Sequence, residues 1–233
     1  MADDFVFVLA SGEEIPVIIQ TRRGLRNITL RPRVSPRREI CMSKPWLVSN
    51  AAAIRFLESK SRWVNQIFEK SPAKVKLVPG DEIEFLGRRV VLMHDGALRS
   101  NKFSDDGEKL IIGGDVSMFE RRVRDFIKSE FLRELKAVVR TAPAELWPKR
   151  IAIRDTTSRW GSCSSSGTMS FSWRLAFAPY DVMRYVVMHE LAHVRHMNHS
   201  PEFWAYVREL YGFGVERAKR WLVQNGGQLH RYF

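Results

Sequence analysis

Cysteine is nearly absent from these 233 residues: Cys41 and Cys163 are the only two, far apart and outside any C-x-x-C pair. That excludes a disulfide framework and a cysteine-built zinc site. No run approaches the roughly 18 uninterrupted apolar residues that a membrane-spanning helix requires. The first residues, Met1-Ala2-Asp3-Asp4, are acidic where a secretory signal is basic. These absences predict a cytoplasmic protein with reduced thiols and no membrane contact. No stretch of sequence repeats. Acidic residues are also scarce, at 26 against 38 Lys and Arg, for a formal charge of +12, and such an excess favours anionic partners. From Arg22 to Lys44, eight cations (Arg22, Arg23, Arg26, Arg31, Arg33, Arg37, Arg38, Lys44) accompany a lone acid, Glu39. Two readings stand: a solvated basic face, or phosphate or nucleic-acid contact through the basic N-terminal half. The same region lacks aromatics from Val17 to Met42, which argues against base stacking.

What is present has the apolar content of an ordinary globular chain, long enough for one large domain or two small ones. Short apolar runs, Phe5 to Leu9, Ile15 to Ile19 and Ile28 to Leu30, alternate with Gly and Pro breaks and predict a small antiparallel sheet. Ser49 caps one helix that carries Ile54, Leu57, Val64 and Phe68 and stops at Ser71-Pro72. Two hairpins follow, Glu82 to Phe85 with Arg88 to Met93, and Leu98 to Phe103 with Lys109 to Ile112. Gly113-Gly114 then close the β-rich half, and Asp115 caps a long amphipathic helix ending before Pro143. Beyond Pro148 the pattern predicts strands at Arg150 to Arg154 and Met169 to Trp173, separated by a polar loop from Thr156 to Thr168. Three helices finish the chain: about Pro179 to Met197, one capped by Ser200 with Pro201 at its first position, and one ending at Asn225-Gly226-Gly227. The expected fold is α+β: a β-rich N-terminal module with one helix over residues 1–113, and a mainly helical metal-binding catalytic domain with a small sheet over residues 114–233.

The chemistry concentrates in His189-Glu190-Leu191-Ala192-His193. Histidines four apart on a helix share a face, about 5–6 Å apart at Cβ, so both rings can reach one zinc ion. Glu190, one residue on, is rotated off that line and can serve a metal-activated water as general base. Chance alone supplies such a motif in roughly one chain of this length in a hundred. The surrounding helix is apolar almost all round, and burying two histidines and a glutamate there without partners is costly. A zinc site accounts for all three together. A catalytic zinc wants a third protein ligand and an open position. His196 would need a distorted helix to join, because seven residues rise about 10.5 Å. His199, before the Ser200-Pro201 turn, is better placed, with Glu202 and Glu209 as alternatives. The segment from Arg159 to Gly167 reads either as a substrate cleft lined by Arg159, Trp160, Ser162 and Cys163 or as a structural turn. Nothing local marks Cys163 as an activated nucleophile. Trp173, Phe203 and Trp204 read as core.

Together, Arg159-Trp160-Gly161-Ser162-Cys163-Ser164, Trp173-Arg174-Leu175, Tyr185 to His193 and Asn198-His199-Ser200-Pro201-Glu202-Phe203-Trp204 resemble the YgjP-like metal-dependent hydrolases. These are relatives of the SprT-like and WLM metallopeptidase groups. The resemblance implies a zincin-type core with His189, His193 and His199 as zinc ligands and Glu190 as catalytic base. It implies a peptide or protein substrate, with nucleotide pyrophosphatase activity on UTP as the alternative associated with the family.

Overall fold

The computed structural model of the chain describes residues 5–34, 37–70, 74–156 and 159–233. The acidic start at residues 1–4, the Ser71-Pro72 stop, and Thr157 and Ser158 of the expected polar loop lie outside them. The chain divides into two compact units, Met1–Lys74 and Val75–Phe233. The expected boundary at residue 113 therefore falls inside the second unit. The reason lies in the core: Val90, Leu92, Leu110 and Ile112 share one apolar cluster with Val123, Ile127 and Phe131. These strands bury their apolar face against the helix that follows them, so a boundary drawn at Gly113 would cut through a core.

In the first unit β1 (Phe5–Val8), β2 (Glu14–Arg22), β3 (Thr29–Arg33) and β4 (Glu39–Pro45) form a sheet in the order β1-β2-β4-β3. It is mixed rather than antiparallel, because β2 and β4 run parallel, Val17 beside Ile40. Alternation turns Ile15, Val17, Ile40 and Met42 inward onto Ala53, Leu57, Val64 and Phe68. Full burial of such side chains contributes about 1.5–3 kcal/mol each. The expected single helix is two, α1 (Asn50–Ser59) and α2 (Ser61–Lys70). Ser59 Oγ donates to the Phe56 carbonyl at 2.7 Å, competing with the helical ladder where the chain breaks at Lys60. The basic stretch also splits in two. Arg38 pairs with Glu13 at 2.7 Å and lies over the Phe68 ring, and buried Lys44 donates to the Val48 carbonyl at 2.7 Å. Arg22, Arg23, Arg26, Arg31, Arg33 and Arg37 are exposed.

The second unit opens with β5 (Glu82–Phe85), β6 (Arg88–Asp95), β7 (Lys102–Phe103) and β8 (Lys109–Gly113), in the order β5-β6-β8-β7. This repeats the arrangement of the first sheet, an antiparallel pair joined through a parallel pair to an antiparallel outer strand. The likeness is one of topology, without a matching repeat in sequence. α3 (Phe119–Val139) buries the stripe Val123, Ile127, Phe131, Leu135 and Val138. β9 (Arg150–Arg154), β10 (Gly161–Cys163) and β11 (Thr168–Ser172) make a third sheet, β10-β11-β9, in which β9 and β11 run parallel. α4 (Tyr180–Ala192), α5 (Pro201–Tyr211) and α6 (Val215–Asn225) follow. Among the described residues, six α-helices and three small mixed sheets make an α+β fold. The last residues are packed: buried Arg174 donates to the Tyr232 and Phe233 carbonyls at 2.6 and 3.1 Å and pairs with Asp155 at 3.0 Å. No helix among the described residues is long and apolar enough to cross a membrane.

Candidate metal centre

α4 supplies the centre of the site and, after its exposed first residue Tyr180, is buried or half-buried along its whole length. Val182, Met183, Val186, Val187, Leu191 and Ala192 are all buried. The helix stops at Ala192, not near Met197, and His193 is its C-cap. Beyond that point Val194 and Met197 stand in solvent, so the apolar pattern that suggested a longer helix does not mark core there. The early stop removes His196 from the line of His189 and His193. Its ring packs instead on Tyr206, and its backbone carbonyl accepts from His193 Nδ1–H at 3.0 Å. That bond fixes the His193 tautomer and leaves Nε2 as its free lone pair.

The chain then turns, Ser200 caps α5 by accepting from the Phe203 N–H, and Pro201 occupies the first turn. This brings His199 back over α4. His189, His193 and His199 each offer a ring nitrogen within 4.8 Å of the others, and the Nε2 atoms of His189 and His199 are 3.2 Å apart. Two ligands of a tetrahedral ion with bonds of about 2.0–2.1 Å stand about 3.3 Å apart, so the residues fit a divalent metal. Glu202 and Glu209 fall outside this cluster. Phe203, fully buried, lies beneath all three rings with centroids 5.0, 4.6 and 4.8 Å away. It is core, as expected, and also the floor of the site. His189 Nδ1 is buried without a hydrogen-bond partner among the described residues; packing against Phe203, Trp204 and Tyr185 orients that ring. Burial, then the neighbouring His193, His199 and Lys219, hold His189 at about 4, and burial lowers His193 as well. Both rings are therefore neutral near pH 7, the form in which imidazole binds a metal.

Glu190 is 6% exposed and lies on the other side of α4, against β10. A side chain at Gly161 would put its Cβ 2.5 Å from Glu190 Oε1 and 2.8 Å from Cδ. Glycine is required here to make room for the carboxylate. Burial pushes Glu190 up to about 7, with Arg159 pulling back. A proton can thus be held or released near neutrality.

β10 is an edge strand, paired among the described residues only with β11. The bonds Ser172 N–H to Trp160 O and Ser164 N–H to Thr168 O, both 2.9 Å, bracket it. In an antiparallel ladder bonded pairs alternate, so the Gly161 and Cys163 N–H and C=O groups face away from β11. They form an open row of donors and acceptors beside Glu190 and His193.

Of the expected cleft residues, Trp160 joins Gly161, Tyr185, His189, Glu190 and Leu222 around one hollow. Its ring is held from behind by Gly226, where an added Cβ would meet Trp160 Cζ2 at 2.9 Å, and by His230. Cys163 lines a second hollow together with His193. Burial pushes its thiol up, with Glu190 adding to the effect, which opposes a nucleophilic role. Ser162 alternates to the opposite face and lines a separate concavity with Arg154, Arg159 and Ser170. Arg159 acts on Glu190 electrostatically rather than by contact.

Residues 26–225 match the YgjP-like metallopeptidase domain. The chain belongs to the YgjP-like metallopeptidase family. It is accordingly a metallopeptidase-like hydrolase, and the family implies a divalent metal. No curated protein matches the chain. Among solved structures it resembles the crystal structure of the metallopeptidase zymogen of Pyrococcus abyssi abylysin, at 24% identity over 46% of this chain and 98% of that one. The TM-score of 0.33 makes that likeness too slight to bear on the chemistry.

Within this YgjP-like chain α6 contributes residues that no motif announced. Lys219 lies 4.3 Å over the Trp204 ring and pairs with Glu216 at 3.4 Å, and Leu222 walls the hollow at Trp160. Their sequence pattern is that of any amphipathic helix. Only the packing of α6 on α4 brings them to the site.

Proposed function

We propose that the chain is a zinc-dependent metallopeptidase in which the Nε2 atoms of His189, His193 and His199 hold the ion and Glu190 is the general base. The carrying observation is the 3.2 Å separation of two histidine Nε2 atoms next to a buried carboxylate seated on bare glycine backbone. A bound zinc supplies a Lewis acid that polarises the scissile carbonyl and acidifies water. Glu190 accepts the proton of the attacking water and returns it to the leaving nitrogen. An extended peptide hydrogen-bonds along the open edge of β10 through the Gly161 and Cys163 backbone, as strands add to sheet edges. That row of groups suits a peptide backbone and favours it over a nucleotide. Trp160 and Leu222 shield the carboxylate from bulk water.

The test is metal analysis by plasma mass spectrometry on protein purified without added metal, followed by turnover on a peptide library and on nucleoside triphosphates. The expected result is zinc in the wild type and in Glu190→Gln, with peptide cleavage only in the former. Cleavage undiminished in Glu190→Gln removes the base. Hydrolysis of UTP with peptides left intact moves the protein to the phosphohydrolase class.

A further inference from the structure

A hollow of about 320 Å³ lies beside His193, separate from the one at Trp160 and Glu190. Its floor is the buried Met169, and Trp147, Cys163, Val194 and Met197 wall it. Trp147, Val194 and Met197 are 46%, 45% and 64% exposed. Isolated exposed apolar residues need no explanation, but three around a single hollow mark a binding surface. Their exposure follows from the fold. α4 stops at Ala192, so Val194 and Met197 leave the core and turn to this hollow. The Trp147 ring is fixed there by its Nε1–H bond to the Ala142 carbonyl at 2.9 Å.

The position of the hollow along β10 gives it a role. Gly161 faces Glu190, and Cys163, two residues further along the strand, opens onto the hollow. Two strand residues span about 6.6 Å. We propose that this hollow is a specificity subsite that takes a large apolar side chain, such as Leu, Met or Phe, from a peptide substrate, within two residues of the scissile bond. The inference rests on the peptidase reading above and goes beyond it by naming the substrate class. Two methionines among the lining residues give an adaptable wall that accepts more than one apolar shape. Exposed Lys149 stands at the rim, its stem packed on Gly167, and its charge repels a basic side chain. An acidic side chain loses its hydration against the apolar walls.

Cleavage-site profiling with a peptide library tests this in the zinc-loaded protein. The expected profile shows Leu, Met or Phe at a single position within two residues of the cut, with Asp and Lys there about tenfold or more slower, the range a hydrophobic pocket achieves. Met197→Asp and Val194→Asp, both at exposed positions, flatten that preference. A second readout needs no turnover. In Glu190→Gln, a peptide with Phe at that position slows alkylation of Cys163 by N-ethylmaleimide, while the same peptide with Lys does not, and Cys41 in the other unit reacts equally in both. Peptides cut without side-chain preference, a preference unmoved by Met197→Asp, or Cys163 alkylated equally with and without peptide would each overturn the subsite and leave the peptidase reading standing. Failure to cut any peptide overturns that reading and the subsite with it.

Discussion

The two sides of α4 hold their functional groups in opposite ways. Toward α5, three histidines are fixed by bulk, each packed on Phe203 with ring centroids 4.6 to 5.0 Å away. Toward β10, Glu190 is fixed by the lack of bulk, its carboxylate resting where a Cβ on Gly161 would otherwise sit. A metal site needs rings that cannot rotate, whereas a base needs space to accept a proton and release it. Metal binding and turnover are therefore expected to fail separately, depending on which side is disturbed.

Breaking the ligand side outright has the largest effect. His189→Ala removes the ring whose Nε2 stands 3.2 Å from His199 Nε2 and is expected to abolish both zinc binding and activity, read by metal analysis and peptide turnover on one preparation. Glu190→Gln is expected to lower turnover by about 10²–10⁴-fold, the usual contribution of a positioned base, while zinc content stays at the wild-type level. Gly161→Ala disturbs the Glu190 side alone, since it removes no polar group and only displaces the carboxylate. Turnover should fall by about 10²-fold, as misplacement by about 1 Å commonly costs, again without loss of zinc. Phe203→Ala tests the other side with the ligands intact. It should lower stability by about 3–5 kcal/mol in a denaturant titration, and weaken zinc affinity by about 10–100-fold in competition with a chelator.

The convergence of the three histidines was legible in the sequence, and the setting of Glu190 only half so. The spacing of His189 and His193, the Ser200-Pro201 start after His199, and Glu190 beside His189 are local signals, and each rests on helix geometry that a short segment fixes by itself. β10 was hidden inside an expected loop, because Gly161-Ser162-Cys163 has no apolar alternation and becomes a strand only by pairing with β11. Lys219 and Leu222 enter through helix packing, which leaves no mark on spacing. The division of the chain at Lys74 rather than at residue 113 has the same origin. Gly113-Gly114 is a turn signal, and a turn between a sheet and the helix that covers it looks in sequence like a turn between domains. The parallel pairs β2–β4 and β6–β8 likewise join strands with another strand between them in sequence, beyond the reach of hairpin signals.

The most direct test of the three-histidine site is anomalous diffraction at the zinc edge from crystals of the protein grown without added metal. A single strong peak is expected within about 2.0–2.1 Å of the Nε2 atoms of His189, His193 and His199, with the Glu190 carboxylate outside bonding distance. A peak held by Glu202 or Glu209 in place of His199, or one bonded directly to Glu190, would contradict it.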